Sequence, residues 1–223
     1  MSQRVLVVAA HPDDEVLGMG GTIARHVRRG DEVTVLWVTD GSSTQYPGRP
    51  DLLARKYREA EQALAELGGC ASIRGELPDM RLDALPHVEV NQVVEQAVTG
   101  TGAQVVYCVH PDVNRDHRAV FESVAVATRP RPGTTVRRVL TYAALSSNEW
   151  TPAPHQTFVP TWFTDITEDL VAKQRAFACY RTEAREWPHP RSARAITAAA
   201  EHWGCSVGVA AAEPFLLVRE IEG

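Results

Sequence analysis

Val5-Leu6-Val7-Val8-Ala9-Ala10 is an unbroken apolar run that stops at His11-Pro12-Asp13-Asp14-Glu15. A run of this length with no polar face predicts a strand covered on both sides, as in a parallel sheet between layers of helices. A helical stretch follows over residues 14–29, with Leu17, Ile23, Ala24 and Val27 for its buried face and Gly30 at its stop. Residues 33–38 read as a second strand. Strand, helix, strand in this order is a βαβ unit, whose crossover is right-handed. Further helices are expected at 52–67, 88–98, 118–127, 170–186 and 192–203, and strands at 105–109, 136–143 and 214–219. Pro152, Pro154 and Pro160 mark an irregular stretch. The alternation predicts the α/β class: a Rossmann-like open, mostly parallel sheet flanked by helices, one domain over residues 1–223, with an irregular C-terminal cap.

The chain is 44% hydrophobic and 23% charged, ordinary values for a soluble enzyme, and its formal net charge of −5 argues against gripping nucleic-acid backbones. No segment approaches the roughly 20 apolar residues of a membrane span. The N-terminus lacks the apolar core and cleavage site of a signal peptide, so a cytoplasmic protein is expected. Cys70, Cys108, Cys179 and Cys205 stand far apart with no CxxC pair, and no disulfide is expected.

Ligands of open parallel sheets bind beyond the carboxyl ends of the strands. Three polar groups fall there: His11 to Glu15, Thr39-Asp40-Gly41, and His110-Pro111-Asp112-Val113-Asn114-Arg115-Asp116-His117. Gly18, Gly20 and Gly21 do not make a dinucleotide loop, because the sixth position is Ile23 and three carboxylates would face the pyrophosphate. Acidic residues suit a cation instead. A catalytic zinc takes three N, O or S ligands and leaves a position for water. His11, Asp14 and His117 supply such a set, and Asp13 is left over as a carboxylate able to take the water's proton. His-Pro-Asp-Asp alone would also serve as a helix cap. A second His/Asp-rich loop after another buried strand favours the metal.

Ala10-His11-Pro12-Asp13-Asp14-Glu15 with Gly20-Gly21, and Asp116-His117 downstream, resemble the PIG-L/LmbE family of zinc N-deacetylases. The likeness continues in Arg58-Glu59, Leu77-Pro78-Asp79, Ser146-Ser147-Asn148-Glu149-Trp150, Pro188-His189-Pro190-Arg191-Ser192 and Ala212-Glu213-Pro214-Phe215. The resemblance implies His11, Asp14 and His117 as zinc ligands, Asp13 as general base, and Asp116 as the residue that orients a ligand histidine. Where many relatives carry a histidine three residues before the last ligand, this chain has Asn114, which can donate to an oxyanion but cannot act as an acid. Protonation of the leaving amine then falls to Asp13 itself, to His189, or to His110.

Asp40, Arg58, Glu149 and Arg191 are candidate substrate contacts, and Trp150, Trp162 and Trp187 could stack on a sugar ring. The expected reaction is hydrolysis of an N-acetylglucosamine-type amino sugar or its conjugate to acetate and free amine. The conjugate could be a small molecule, a thiol-cofactor precursor or an antibiotic intermediate. An amidase for a larger acyl group and a non-catalytic sugar- or metal-binding protein are the alternatives. Fe²⁺, Mn²⁺ or Co²⁺ could replace Zn²⁺ on such ligands, and the resemblance implies a homo-oligomer.

Overall fold

The computed structural model describes residues 2–152 and 157–222, which leaves Pro154 outside. Its seven strands are β1 (Arg4–Ala9), β2 (Glu32–Thr39), β3 (Ala71–Leu77), β4 (Val105–Val109), β5 (Arg138–Tyr142), β6 (Trp162–Asp165) and β7 (Ala212–Glu220). Six α-helices accompany them: α1 (Asp14–Arg28), α2 (Pro50–Glu66), α3 (His87–Thr101), α4 (Arg115–Ala127), α5 (Leu170–Cys179) and α6 (Ala193–Val207). The strands form one sheet in the order β3-β2-β1-β4-β5-β7-β6. β3 to β5 run parallel in that order, while β7 is antiparallel to both β5 and β6. The central strands β1 and β4 are buried almost throughout, as their apolar runs require.

Two strands are not legible in the sequence. β3 and β6 are sheet edges, and β3 alternates exposed and half-buried positions around Arg74, Gly75 and Glu76, a pattern that resembles a loop. Beyond the irregular cap expected of it, the region after the prolines supplies the edge strand β6, which pairs antiparallel with β7, the strand expected at 214–219. Helix α5 stops at Cys179, well short of the expected 186. Beyond that end the Tyr180 hydroxyl reaches into the core and donates to Glu15, and Glu183 pairs with Lys56 at 2.7 Å. Helix α4 begins earlier than expected, since Asn114 Oδ1 accepts from Asp116 N at 2.9 Å and caps it.

Helix α1 is two helical pieces joined at Met19, whose φ of −148° is non-helical. The break leaves backbone donors that need partners. Glu213 on β7 accepts from Gly21 N (3.0 Å) and Thr22 N (2.6 Å), and Lys173 on α5 donates to Glu213 (2.6 Å) and to Leu17 O (3.0 Å). Gly18 lets the first piece close on β5, because a Cβ there would lie 2.2 Å from the Tyr142 ring. Together these contacts fix the start of α1 over the end of β1.

Lys173 and Glu213 are both buried, so removing one partner strands a charge. Lys173→Met is expected to destabilise the fold by about 3 kcal/mol, read by urea unfolding, and the double variant Lys173→Met/Glu213→Gln to recover part of that loss.

Candidate active site

β1 and β4 are neighbours in the sheet although β2 and β3 lie between them in sequence, so the strand order reverses at this point and their loops open side by side. His11 and Asp14 come from the first loop and helix start. His117 comes from the first turn of α4. Asp14 Oδ2 lies 3.3 Å from His11 Nδ1, and Asp14 Oδ1 lies 3.4 Å from His117 Nε2. Zinc bonds of 2.0–2.1 Å in a tetrahedron separate ligand atoms by about 3.3 Å. The three donors, one atom each within 4.8 Å of the others, thus fit a cation of that size.

The outer ring nitrogens are also held. Asp116 Oδ2 meets His11 Nε2 at 3.0 Å, and Asp112 Oδ2 meets His117 Nδ1 at 2.8 Å. Each carboxylate fixes a tautomer and turns the opposite nitrogen toward the cluster. Asp116 is itself pinned by Met80 N (2.7 Å) and Leu82 N (3.1 Å). A second triplet, His11, Asp79 and Asp116, also clusters. It offers one nitrogen rather than two, and both Asp116 oxygens already accept backbone hydrogen bonds.

Burial alone would lower both imidazole pKa values. Asp116 and Asp14 nevertheless raise His11 well above its ordinary value, and Asp14 and Asp112 push His117 up to about 9. Burial pushes the Asp14 carboxyl up, but His117 and His11 outweigh it and hold it well below the usual carboxylate range. The field is that of a site that attracts positive charge.

Asp13 is buried beside the cluster in a backbone conformation rare for a side-chain-bearing residue, φ 132°. Its N–H donates to Glu15 Oε2 at 3.2 Å, and that oxygen also accepts from Trp37 Nε1 at 3.2 Å. Burial, opposed by Arg191, pushes the Asp13 carboxyl up to about 6. Arg191 Nη1 stands 3.3 Å from Asp13 Oδ2 and 2.6 Å from Glu183 Oε2, while its Nε donates to Ser146 Oγ at 2.6 Å. Lys56 completes the chain by pairing with Glu183 and donating to Gly41 O. Asp13, Gly41, Lys56, Glu183 and Arg191 line one cavity of about 80 Å³ with His11, Asp79 and Asn114.

Of the sequence-derived candidates, His11, Asp13, Asp14, Asn114, Asp116, His117 and Arg191 come together. The rest do not join them. His189 does not line this cavity; its Nδ1 accepts from Arg191 N at 3.0 Å and its ring meets Trp150. Asp40 is spent on its own loop, accepting from Ser42 N and Ser43 N. Arg58 faces solvent on α2, while Lys56 on the buried side enters the cavity. Glu149 is exposed and accepts from Ser146 N. His110 bonds to Thr141 behind the loop, and Trp162 lies under Arg138 on the far edge strand. Asp112, Asp79, Glu15, Lys56 and Glu183 carry parts of the site to which the sequence assigns no role. Only the first three stand inside motifs that could draw attention to them.

A family model described as PIG-L, GlcNAc-PI de-N-acetylase, matches residues 6–128, more than half of the chain. The uncharacterized deacetylase YaiS of Escherichia coli (strain K12) is 27% identical over 174 residues, covering 74% of this chain and 83% of that protein. The diacetylchitobiose deacetylase of Thermococcus kodakarensis is 28% identical over 198 residues, covering 83% of this chain and 71% of that enzyme. A crystal structure of a conserved protein from Thermus thermophilus superposes with a TM-score of 0.79 at 26% identity, covering 99% and 97% of the two chains.

Asp112→Ala should weaken zinc affinity by roughly 10- to 100-fold while the protein stays folded, as measured by competition with a chromogenic chelator. Unchanged affinity would remove Asp112 from the support of His117.

Proposed function

Because the chain belongs to the PIG-L family, we propose that it hydrolyses the N-acetyl group of an N-acetylglucosamine-type amino sugar or conjugate to acetate and free amine. The observation that carries this reading is Asp13: a buried carboxylate, outside the ligand set, beside a three-donor cation site. His11 Nδ1, Asp14 and His117 Nε2 would hold the cation. Zinc suits two imidazoles and a carboxylate, and Fe²⁺, Mn²⁺ or Co²⁺ is accepted by the same donors. When bound, the cation supplies Lewis acidity toward the amide carbonyl and acidifies water.

The residues do the rest. Asp13 accepts a proton from the attacking water and, with its carboxyl near 6, returns it to the leaving nitrogen. Arg191 holds Asp13 in place through the charge pair and is itself held by Glu183 and Ser146. Asn114 commits its Oδ1 to the α4 cap, which orients Nδ2 as a donor on the cavity wall, where it can stabilise a developing oxyanion. His189 sits one hydrogen bond behind Arg191, so a part in proton return would need it to turn inward. The cavity of about 80 Å³ has room for an acetyl group.

Asp13→Asn should lower kcat by roughly 10² to 10⁴-fold with zinc content unchanged, measured by acetate release and metal analysis. Near-normal turnover would sink the assignment. The base works only when ionised, so kcat/KM should fall as pH drops through about 6.

A further inference from the structure

The polar floor of the active-site cavity contrasts with its rim on the Asn114 side. Met80, Val113 and Trp150 are 55%, 43% and 56% exposed, although large apolar side chains gain by burial. They are linked round one edge. Asn114 Nδ2 meets Met80 Sδ at 3.8 Å, and Val113 N donates to Thr151 Oγ1 at 3.1 Å. The Trp150 ring packs edge-on against His189, 6.2 Å between centroids, and His189 holds the Arg191 backbone. Met80 itself lines the catalytic cavity.

Met80 is more than a stray exposed side chain. It adopts φ 56°, a conformation that favours glycine or asparagine, and its N–H is fixed to Asp116 at 2.7 Å. A strained, pinned backbone thus holds a thioether at the mouth of the site. Strain of this kind collects at ligand clamps, and contiguous exposed apolar groups mark binding surfaces.

The cavity beneath is small and mostly polar, so a substrate that places its acetamido group there must lay its remaining parts on the rim. We propose that the physiological substrate carries an apolar, ring-bearing aglycone that docks on Met80, Val113 and Trp150, a reading that rests on the deacetylase function above. Trp150 and Met80 suit an aromatic or flat alicyclic ring, through stacking and sulfur–ring contact. Met80 lines the catalytic cavity, and Val113 adjoins Asn114, which lines it too, so the occupant this rim fits is the substrate's own aglycone.

The test compares the phenyl and methyl glycosides of N-acetylglucosamine, same anomer, on the metal-loaded wild type and on Trp150→Ala. The wild type should favour the phenyl glycoside by about tenfold in kcat/KM, and Trp150→Ala should bring the ratio close to one. Equal kcat/KM for both glycosides in the wild type overturns the proposal. So does a Trp150→Ala variant that lowers both by the same factor, or one that dissociates an oligomer with the ratio unchanged, which would mark the patch as a contact between copies. If neither glycoside turns over, calorimetric binding decides. Tighter phenyl binding that Trp150→Ala abolishes supports the docking surface while the deacetylase reading falls, and equal binding of the two overturns the docking surface as well.

Discussion

Two imidazoles, each gripped on its outer nitrogen by an aspartate, set the geometry on which the rest of this site depends. Asp116 holds His11 and Asp112 holds His117, so the inner nitrogens of both rings face Asp14. Asp13, Asp14, Glu15, Asp79, Asp112 and Asp116 are all at most 4% exposed, a density of buried carboxylates that an apolar interior would not tolerate unpaired. Their negative field explains the raised imidazoles and the cleft's preference for a cation. The cationic side chains that reach the cavity, Lys56 and Arg191, are each paired with Glu183.

The scaffold serves that cluster at some cost. The reversal of strand order between β1 and β4 brings the two loops together, and α1 breaks at Met19 so that its first turn can present Asp14 while its second part continues along the sheet. The freed donors at the break are taken up by Glu213 from the last strand, with Lys173 balancing its charge. An element near the C-terminus thereby completes a helix near the N-terminus. The region 181–192 is tied in likewise: Tyr180 and Glu15 anchor its start beneath Asp13, and Arg191 returns to the same carboxylate from above.

Much of this is legible in the sequence. The apolar runs of β1, β2 and β4 announce a parallel core, and polar loops after buried strands announce a site at their ends. His11, Asp14, His117 and Asp13 follow from that placement and from ligand chemistry. What stays hidden depends on contacts between residues far apart in the chain. Lys56 and Arg58 occupy different sides of α2; Lys56 lies on the buried side with Tyr57, Ala60 and Leu64, and its part in the site rests on Glu183 and Gly41, which are far from it in the chain. Asp112 escapes notice because Asp116, adjacent to His117, looks like its natural partner, whereas the start of α4 turns Asp116 toward His11 instead. Neither edge strand, β3 nor β6, carries the continuous buried apolar run that marks β1 and β4.

Where the cation sits decides whether Asp13 is free to act as the base. A crystal structure of the zinc-loaded protein, with data collected at the zinc absorption edge, locates it directly. One anomalous peak bonded to His11 Nδ1, Asp14 and His117 Nε2, with Asp13 close by but unligated, is the predicted result. A peak between His11 Nε2, Asp79 and Asp116, or Asp13 as a zinc ligand, would contradict it, because either arrangement removes the base from its role.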